Sequence, residues 1–236
     1  MSFTTHGTTV AVVPCHRTPP SDELLDALRA HVARVAIVDD GMPCGAASRL
    51  TELVAARSDV ELIRFPANRG KGHALAAGID RAAAVADAIL TFDADGQHPA
   101  AAVASFLAAE GDLVIGNRHD RNAMPWVRRV ANGASNRLLS RATGLPVPDG
   151  QCGMRLLRER ALVTRFPGGR YEAETRHLKA CLRAGLQVTW VPIPTIYGSE
   201  RSAFRPIRDS ARVLSGIFAW SIPVLETRSK RSHPMP

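Results

Sequence analysis

The chain has 236 residues, is 45% hydrophobic and only 5% aromatic, and carries a net charge of +8 with a pI of about 10.1. That length gives one large domain, or a domain with a small appendage, and the composition excludes a disordered or fibrous chain. The basic balance points to an anionic partner (a nucleic acid, a membrane surface or a phosphorylated ligand), with a solvated arginine-rich surface as the bland alternative. Cys15, Cys44, Cys152 and Cys181 form no C-x-x-C pair and no zinc spacing, so they read as reduced thiols of a cytoplasmic protein. The opening MSFTTHGTTVAVVP has no signal-peptide pattern, and no run reaches the ~18 apolar residues of a membrane-spanning helix.

In chain order, TVAVVP (9–14) reads as a buried strand and DELLDALRAHV (22–32) as a helix with Ser21 as its N-cap. VAIVDDG (35–41) is a strand ending in acids, followed by the helix SRLTELVAAR (48–57). VELIRF (60–65), HALAAGIDRAAAVA (73–86), AILTFD (88–93) and PAAAVASFLAA (99–109) continue the strand and helix alternation, with Pro99 at the first position of the last helix. DLVIGNR (112–118) is a fifth strand. Strands apolar throughout, alternating with helices, imply a parallel sheet covered on both faces. The second half breaks this rhythm. WVRRVANGASNRLLSRATG (126–144) is one long helix, LPVPDGQCG a turn-rich link, YEAETRHLKACLRAG (171–185) a helix and QVTWVPI (187–193) a strand. From Phe204 the chain mixes arginine with apolar residues and ends in a polar, basic tail. Residues 1–203 therefore read as the main domain and 204–236 as an appended segment. Within it, RVLSGIFAWSIPVL (212–225), with Phe218 and Trp220, is either an interfacial segment or a helix docked on the domain.

The chemistry concentrates at strand ends. Asp39 and Asp40 end one strand, and Asp93 and Asp95 follow another; Gly41 and Gly96 allow sharp turns there. In an open α/β sheet, ligands bind outside the carboxyl ends of the strands. Residues two apart in extended chain share a side, so Asp93 and Asp95 face one point. Two carboxylates together favour a bound cation or a raised pKa on one of them, and a hard divalent ion typically takes substrate phosphates as further ligands. An ordinary Asp-Gly turn is the alternative reading. The loop PANRGKGHA (66–74) leads into a helix and brings Arg69 and Lys71, a setting that favours an anion, although Phe65 stands where a Walker A glycine would be.

The ordered set VDDG, NRGKGHAL, TFDADGQHP and IGNR, followed by DGQCGMRLL, RYEAETRHL and VTWVPIPTIY, resembles glycosyltransferase family 2 with a GT-A fold. It is most similar to the branch that uses polyprenyl (dolichyl) phosphates, over roughly residues 9–215. The resemblance implies a Rossmann-like, mostly parallel sheet flanked by helices on both faces. It implies inverting transfer of a sugar from a UDP- or GDP-sugar, with Mg2+ or Mn2+, to a lipid-phosphate or glycan acceptor. Pro14 and Asp39 would line the nucleoside pocket, supported by Asp40, with Lys71 and Ala94 against the donor. Asp93, Asp95 and Gln97 would hold the ion. Arg118 and Arg128, or Arg129 in its place, would contact phosphates. Asp149, Glu172 and Glu174 would face the sugar or acceptor, one of them serving as base for a hydroxyl acceptor. The alternative for the two glutamates is an exposed helix face.

Two segments depart from the family pattern. His16 and Arg17 replace an Asn-Glu pair after the first strand, so the nucleotide contact of that pair is lost or remade. Arg201 and Arg205 stand in a late segment that elsewhere carries lysine. A nucleotidyltransferase would need a glycine-rich loop where PCHRTPPS stands. A haloacid-dehalogenase-type phosphatase would carry its D-x-D after the first strand. A nucleic-acid-binding module does not account for four aspartates at strand ends. An inactive transferase-like binding protein remains the other alternative. The expected location is cytoplasmic, with peripheral contact at the inner face of a membrane.

Overall fold

The computed structural model describes residues 7–120, Met124 and residues 126–196. One sheet of seven strands forms its centre, in the order β3-β2-β1-β4-β6-β5-β7. β1 (Thr9–Cys15) pairs in parallel with β2 (Arg34–Asp40) and β4 (Ala88–Thr91), and β2 pairs in parallel with β3 (Val60–Phe65). β5 (Leu113–Arg118) pairs in parallel with β7 (Val188–Ile193). The expected parallel sheet is thus mixed. β6 (Arg155–Arg158) runs antiparallel between β4 and β5, with Leu157 opposite both Ile89 and Leu113.

The central strands form because nearly every side chain on them is buried on one face or the other. Val10, Ala11, Val12 and Val13 of β1 and Val35 to Val38 of β2 are all core residues. Several helices start or stop away from their expected ends. α1 spans Asp22–Arg29, and Ser21 Oγ accepts from Leu24 N at 3.2 Å as expected of the N-cap. α2 (Cys44–Ala55) begins four residues earlier than expected, directly after Pro43, whose fixed φ suits a helix entry. α3 spans Lys71–Ala82. The helix expected from Pro99 is a 3-10 turn (Ala100–Ala102) leading into α4 (Val103–Ala108). α5 (Trp126–Thr143) matches its expected span, and Gly144 ends it at φ 72°. α6 (Glu159–Val163) was not anticipated, and α7 spans Glu172–Arg183.

Two features aim the chain at one edge of the sheet. α3 packs on β1 and β2 so closely that a Cβ on Gly78 would strike Val12 and Val38, which fixes Lys71 at the helix start. Because β6 is antiparallel, its entry loop lies beside the carboxyl end of β4. Thr91 Oγ1 donates to Gly153 O at 2.8 Å and locks that neighbourhood. The strand order reverses between β1 and β4, where a crevice is expected in this architecture. No helix among the described residues is long and apolar enough to cross a membrane.

Candidate active site

The carboxyl ends of the strands gather a network of opposite charges. Lys71 Nζ, at the start of α3, lies 2.7 Å from Asp93 Oδ1 and 3.2 Å from Glu174 Oε2. Glu174 is buried on α7, so its pairing with Lys71 ties α3, the β4 turn and α7 together. Burial opposes a charge on Lys71, but Asp93 and Glu174 outweigh it and hold the ammonium pKa above its ordinary value. Burial likewise works against the Asp93 carboxylate, yet Lys71 keeps its pKa below the usual range. Gly153 makes room for this pair. A Cβ there would strike Asp93 Oδ2 and come within 2.8 Å of Lys71 Nζ.

Asp39 and Asp40, both buried, organise the loops above β2. Asp39 accepts from Met42 N and from Arg64 Nε, each at 2.7 Å. Asp40 accepts from the backbone of Arg69 at 2.6 Å and Gly70 at 2.9 Å, so it clamps the loop entering α3. Gly70, at φ 104°, and Gly72 let that loop lie against residues 169–173. His16 Nδ1 is 2.8 Å from Asp40 O. A carbonyl only accepts, so His16 donates there and ties the end of β1 to β2. Pro14 is half-buried in β1.

On the other side of β4, Arg118 grips Asp149 with a two-pronged ion pair, Nε to Oδ2 at 2.7 Å and Nη2 to Oδ1 at 2.9 Å. Gln151 N adds a bond to Oδ1 at 3.1 Å. Burial would raise the Asp149 pKa, but Arg118 holds it below the ordinary range. This weighs against Asp149 as a base, because both of its oxygens are engaged by Arg118. The alternative reading of Glu172 and Glu174 as an exposed helix face also fails. Glu174 is ion-paired, and Glu172 Oε1 accepts from Arg170 N at 3.1 Å while its other oxygen is buried with no hydrogen-bond partner among the described residues. Arg128 is half-buried in the first turn of α5, with Arg129 exposed beside it.

The acidic turn itself has the charge of a cation site. Asp95 is exposed, and its Oδ1 accepts from Gln97 N at 3.1 Å. Ala94, between the aspartates, packs on the core. Desolvation in the turn and the nearby Asp93 both push the Asp95 pKa up. Among the described residues, Asp93, Asp95 and Glu174 set three carboxylates around the Lys71 ammonium, while Arg118 pairs with Asp149. An excess of two negative charges suits one divalent cation. One donor atom from each of Asp93, Asp95 and His98 falls within 4.8 Å of the others.

The profile of glycosyl transferase family 2 matches residues 10–166, which run from β1 through α6 and include the acidic turn. The chain belongs to glycosyltransferase family 2. Protein MJ1222 of Methanocaldococcus jannaschii is 34% identical to this glycosyltransferase over 175 residues, 69% of this chain and 70% of that one. Two crystal structures of glucosyl-3-phosphoglycerate synthase from Mycobacterium tuberculosis have the same architecture. The complex with uridine diphosphate superposes with a TM-score of 0.66 and 20% identity, over 90% of this chain and 79% of the synthase. The complex with Mn2+, UDP-glucose and phosphoglyceric acid gives 0.67 and 20% over the same shares. At these identities the likeness establishes the GT-A fold.

The structure brings Lys71, Asp93, Asp95, Glu174, Arg118 and Asp149 of this glycosyltransferase to one edge of the sheet. Sequence reasoning missed two contributors. Arg155 is fully buried and donates to the carbonyls of Gly150, Cys152 and Glu174, so it fixes the loop that carries Asp149 and Gly153. Its signal was visible as the lone charge in CGMRLL. His98 is the other; it sits directly after Gln97 and reaches toward Asp93. Arg201, Arg205 and residues 212–225 lie outside the described residues.

Proposed function

We propose that this glycosyltransferase moves a sugar, with inversion, from a nucleoside-diphosphate sugar of the UDP or GDP series to a lipid phosphate. Asp93, Asp95 and Gln97 would hold Mg2+ or Mn2+ beside the donor diphosphate. The observation that carries the donor half is the excess of two negative charges at the acidic turn among the described residues, beside the glycine loop at the start of α3. When bound, the ion neutralises the departing diphosphate as a Lewis acid. The fold neighbours crystallised with UDP and Mn2+ support the same reading. The protein's own part is positioning. Lys71 and Glu174 fix Asp93, Asp40 fixes the glycine loop, and Asp149 aims the Arg118 guanidinium.

The acceptor half rests on the committed carboxylates. A hydroxyl acceptor needs a base, whereas a phosphate is already a nucleophile. Arg118 occupies Asp149, Lys71 occupies Glu174, and Glu172 retains one uncommitted oxygen. α5 adds a surface suited to lipid. At 100° per residue, Trp126, Val130, Arg137 and Arg141 share one exposed stripe, opposite the buried Ser135, Asn136 and Leu139. α5 carries four arginines and no acid. Exposed Trp and Val with arginine on one helix face fit the headgroup region of an anionic bilayer. On this reading residues 1–203 form the transferase domain, 204–236 an appendage, and the protein works at the membrane surface.

The test is a transfer assay with labelled UDP- and GDP-sugars and Mn2+, offering polyprenyl phosphate, phosphoglycerate or a glycan in detergent. Label in the polyprenyl phosphate, unaffected by Glu172→Gln, supports the proposal. Label only in a hydroxyl acceptor, lost in Glu172→Gln, would replace the acceptor half and keep the donor half. In parallel, the wild type is expected to sediment with vesicles containing anionic phospholipid, and Trp126→Ser/Val130→Ser to lose at least half of that binding. Equal sedimentation would remove α5 from the argument.

A further inference from the structure

His98 stands where a third metal ligand would be sought, next to Gln97 and with Nδ1 3.9 Å from Asp93 Oδ2. Its hydrogen bonds assign it another task. The ring is buried, and Phe92 lies against it with centroids 5.6 Å apart. Met154 N lies 3.2 Å from His98 Nε2. A backbone N–H only donates, so Nε2 must supply the lone pair. In a neutral imidazole the proton then sits on Nδ1. Nδ1 is buried and has no hydrogen-bond partner among the described residues, and Asp93 Oδ2 lies 3.9 Å from it. A protonated nitrogen has no lone pair for a metal. Ligation through Nδ1 would require the proton on Nε2, which would set two N–H groups against each other across the Met154 contact.

We infer that His98 is a positioning residue whose Nδ1–H is reserved for the inner edge of Asp93, and not a metal ligand. The inference rests on the donor-site reading of this turn. Through Nε2 the ring is fixed to the loop of Met154, which Arg155 anchors in turn. Through Nδ1 it turns a single donor toward Asp93 Oδ2, 3.9 Å away. Lys71 approaches the same carboxylate at 2.7 Å from Oδ1 and 3.0 Å from Oδ2. Asp93 thus lies between the Lys71 ammonium on α3, which bonds it, and the ring of His98, held by the β6 entry loop with Nδ1 3.9 Å from Oδ2. A small rotation of the carboxylate would bring Oδ2 within hydrogen-bond distance of the Nδ1–H and fix its orientation. Outer partners of this kind orient metal-binding carboxylates, and their loss typically costs about 10- to 100-fold in metal affinity.

The decisive experiment is nitrogen-15 NMR of the histidine rings in the full chain, without metal and with Mg2+. His98 signals are assigned by their loss in His98→Asn. The expected result is a pyrrole-type Nδ1 and a pyridine-type Nε2, unchanged by Mg2+. A protonated Nε2 in the metal-free protein, or an Nδ1 that loses its proton on adding Mg2+, overturns the inference. Neither outcome depends on whether sugar transfer is detected. A second measurement is the Mn2+ affinity read from free-ion EPR. His98→Ala is expected to weaken it at least tenfold. His98→Asn, which restores an N–H near the Nδ1 position, is expected to recover most of the loss. Asn performing no better than Ala, with both variants folded by circular dichroism, contradicts the donor role.

Discussion

Asp95→Asn is expected to lower sugar transfer by about 10^2- to 10^3-fold while leaving the melting temperature of the metal-free protein unchanged or slightly raised. The activity loss follows from the charge count. Without Asp95, the excess negative charge of the turn falls by one. Charge stabilisation of the leaving diphosphate by a bound cation is worth several kcal/mol, and each ~1.4 kcal/mol is tenfold in rate. The stability follows from the neighbours. Among the described residues Asp95 forms no ion pair, and it lies beside Asp93. Its folded pKa is raised, so the folded state holds that proton more tightly than the unfolded chain does. The stabilisation from this group is therefore present at low pH and lost as pH rises through the folded pKa. At neutral pH the ionised Asp95 works against folding, and Asn removes that cost. The assay pairs initial transfer rates with thermal melts, each with and without Mn2+. Mn2+ should raise the melting temperature of the wild type and not that of the variant. A variant with full activity, or one that melts far below the wild type, would contradict this assignment.

Arg155→Met is expected to produce the largest stability loss of any single substitution at the site, about 3 kcal/mol or more. The Arg155 side chain satisfies three buried carbonyls on two segments, Gly150 and Cys152 of the loop and Glu174 of α7, at 2.8–2.9 Å. A thioether of similar reach satisfies none, and a buried polar group left without a partner costs ~1–3 kcal/mol. For a domain of this size that corresponds to a drop in melting temperature of about 6–12 °C. Lysine should recover part of it, because one ammonium cannot reproduce the planar fork. Activity should fall even where the variant remains folded, since the loop holds Asp149, Gly153 and, through Met154, His98. A Met variant melting within about 2 °C of the wild type would show that the loop is held by other means.

The parts of this molecule that the sequence announces are those whose cause is local. β1, β2 and β5 are apolar runs, and burial on both faces needs little else. Ser21 caps α1 because a hydroxyl before an acidic first turn serves the free N–H groups. The aspartates at the ends of β2 and β4 were legible as charges terminating buried strands. β6 was not legible: RLLR is four residues long, bounded by arginines, and is a strand only because β4 and β5 flank it. The 3-10 start of α4 was likewise hidden in a run of alanines that suits any helical geometry. At the site, identity was readable and pairing was not. Nothing local indicates that Lys71 meets Glu174 across 103 positions of chain, or that Arg118 takes up Asp149. Those contacts place the expected base in an ion pair.

We propose that the acidic turn and the glycine loop together form a metal-dependent nucleotide site. Calorimetric titration of UDP and GDP into metal-free protein, with and without Mn2+, tests it most directly. Binding of one nucleotide that requires Mn2+ and disappears in Asp95→Asn is the predicted result. Nucleotide binding of equal affinity without metal, or no binding of either nucleotide to folded protein in the presence of Mn2+, would contradict it.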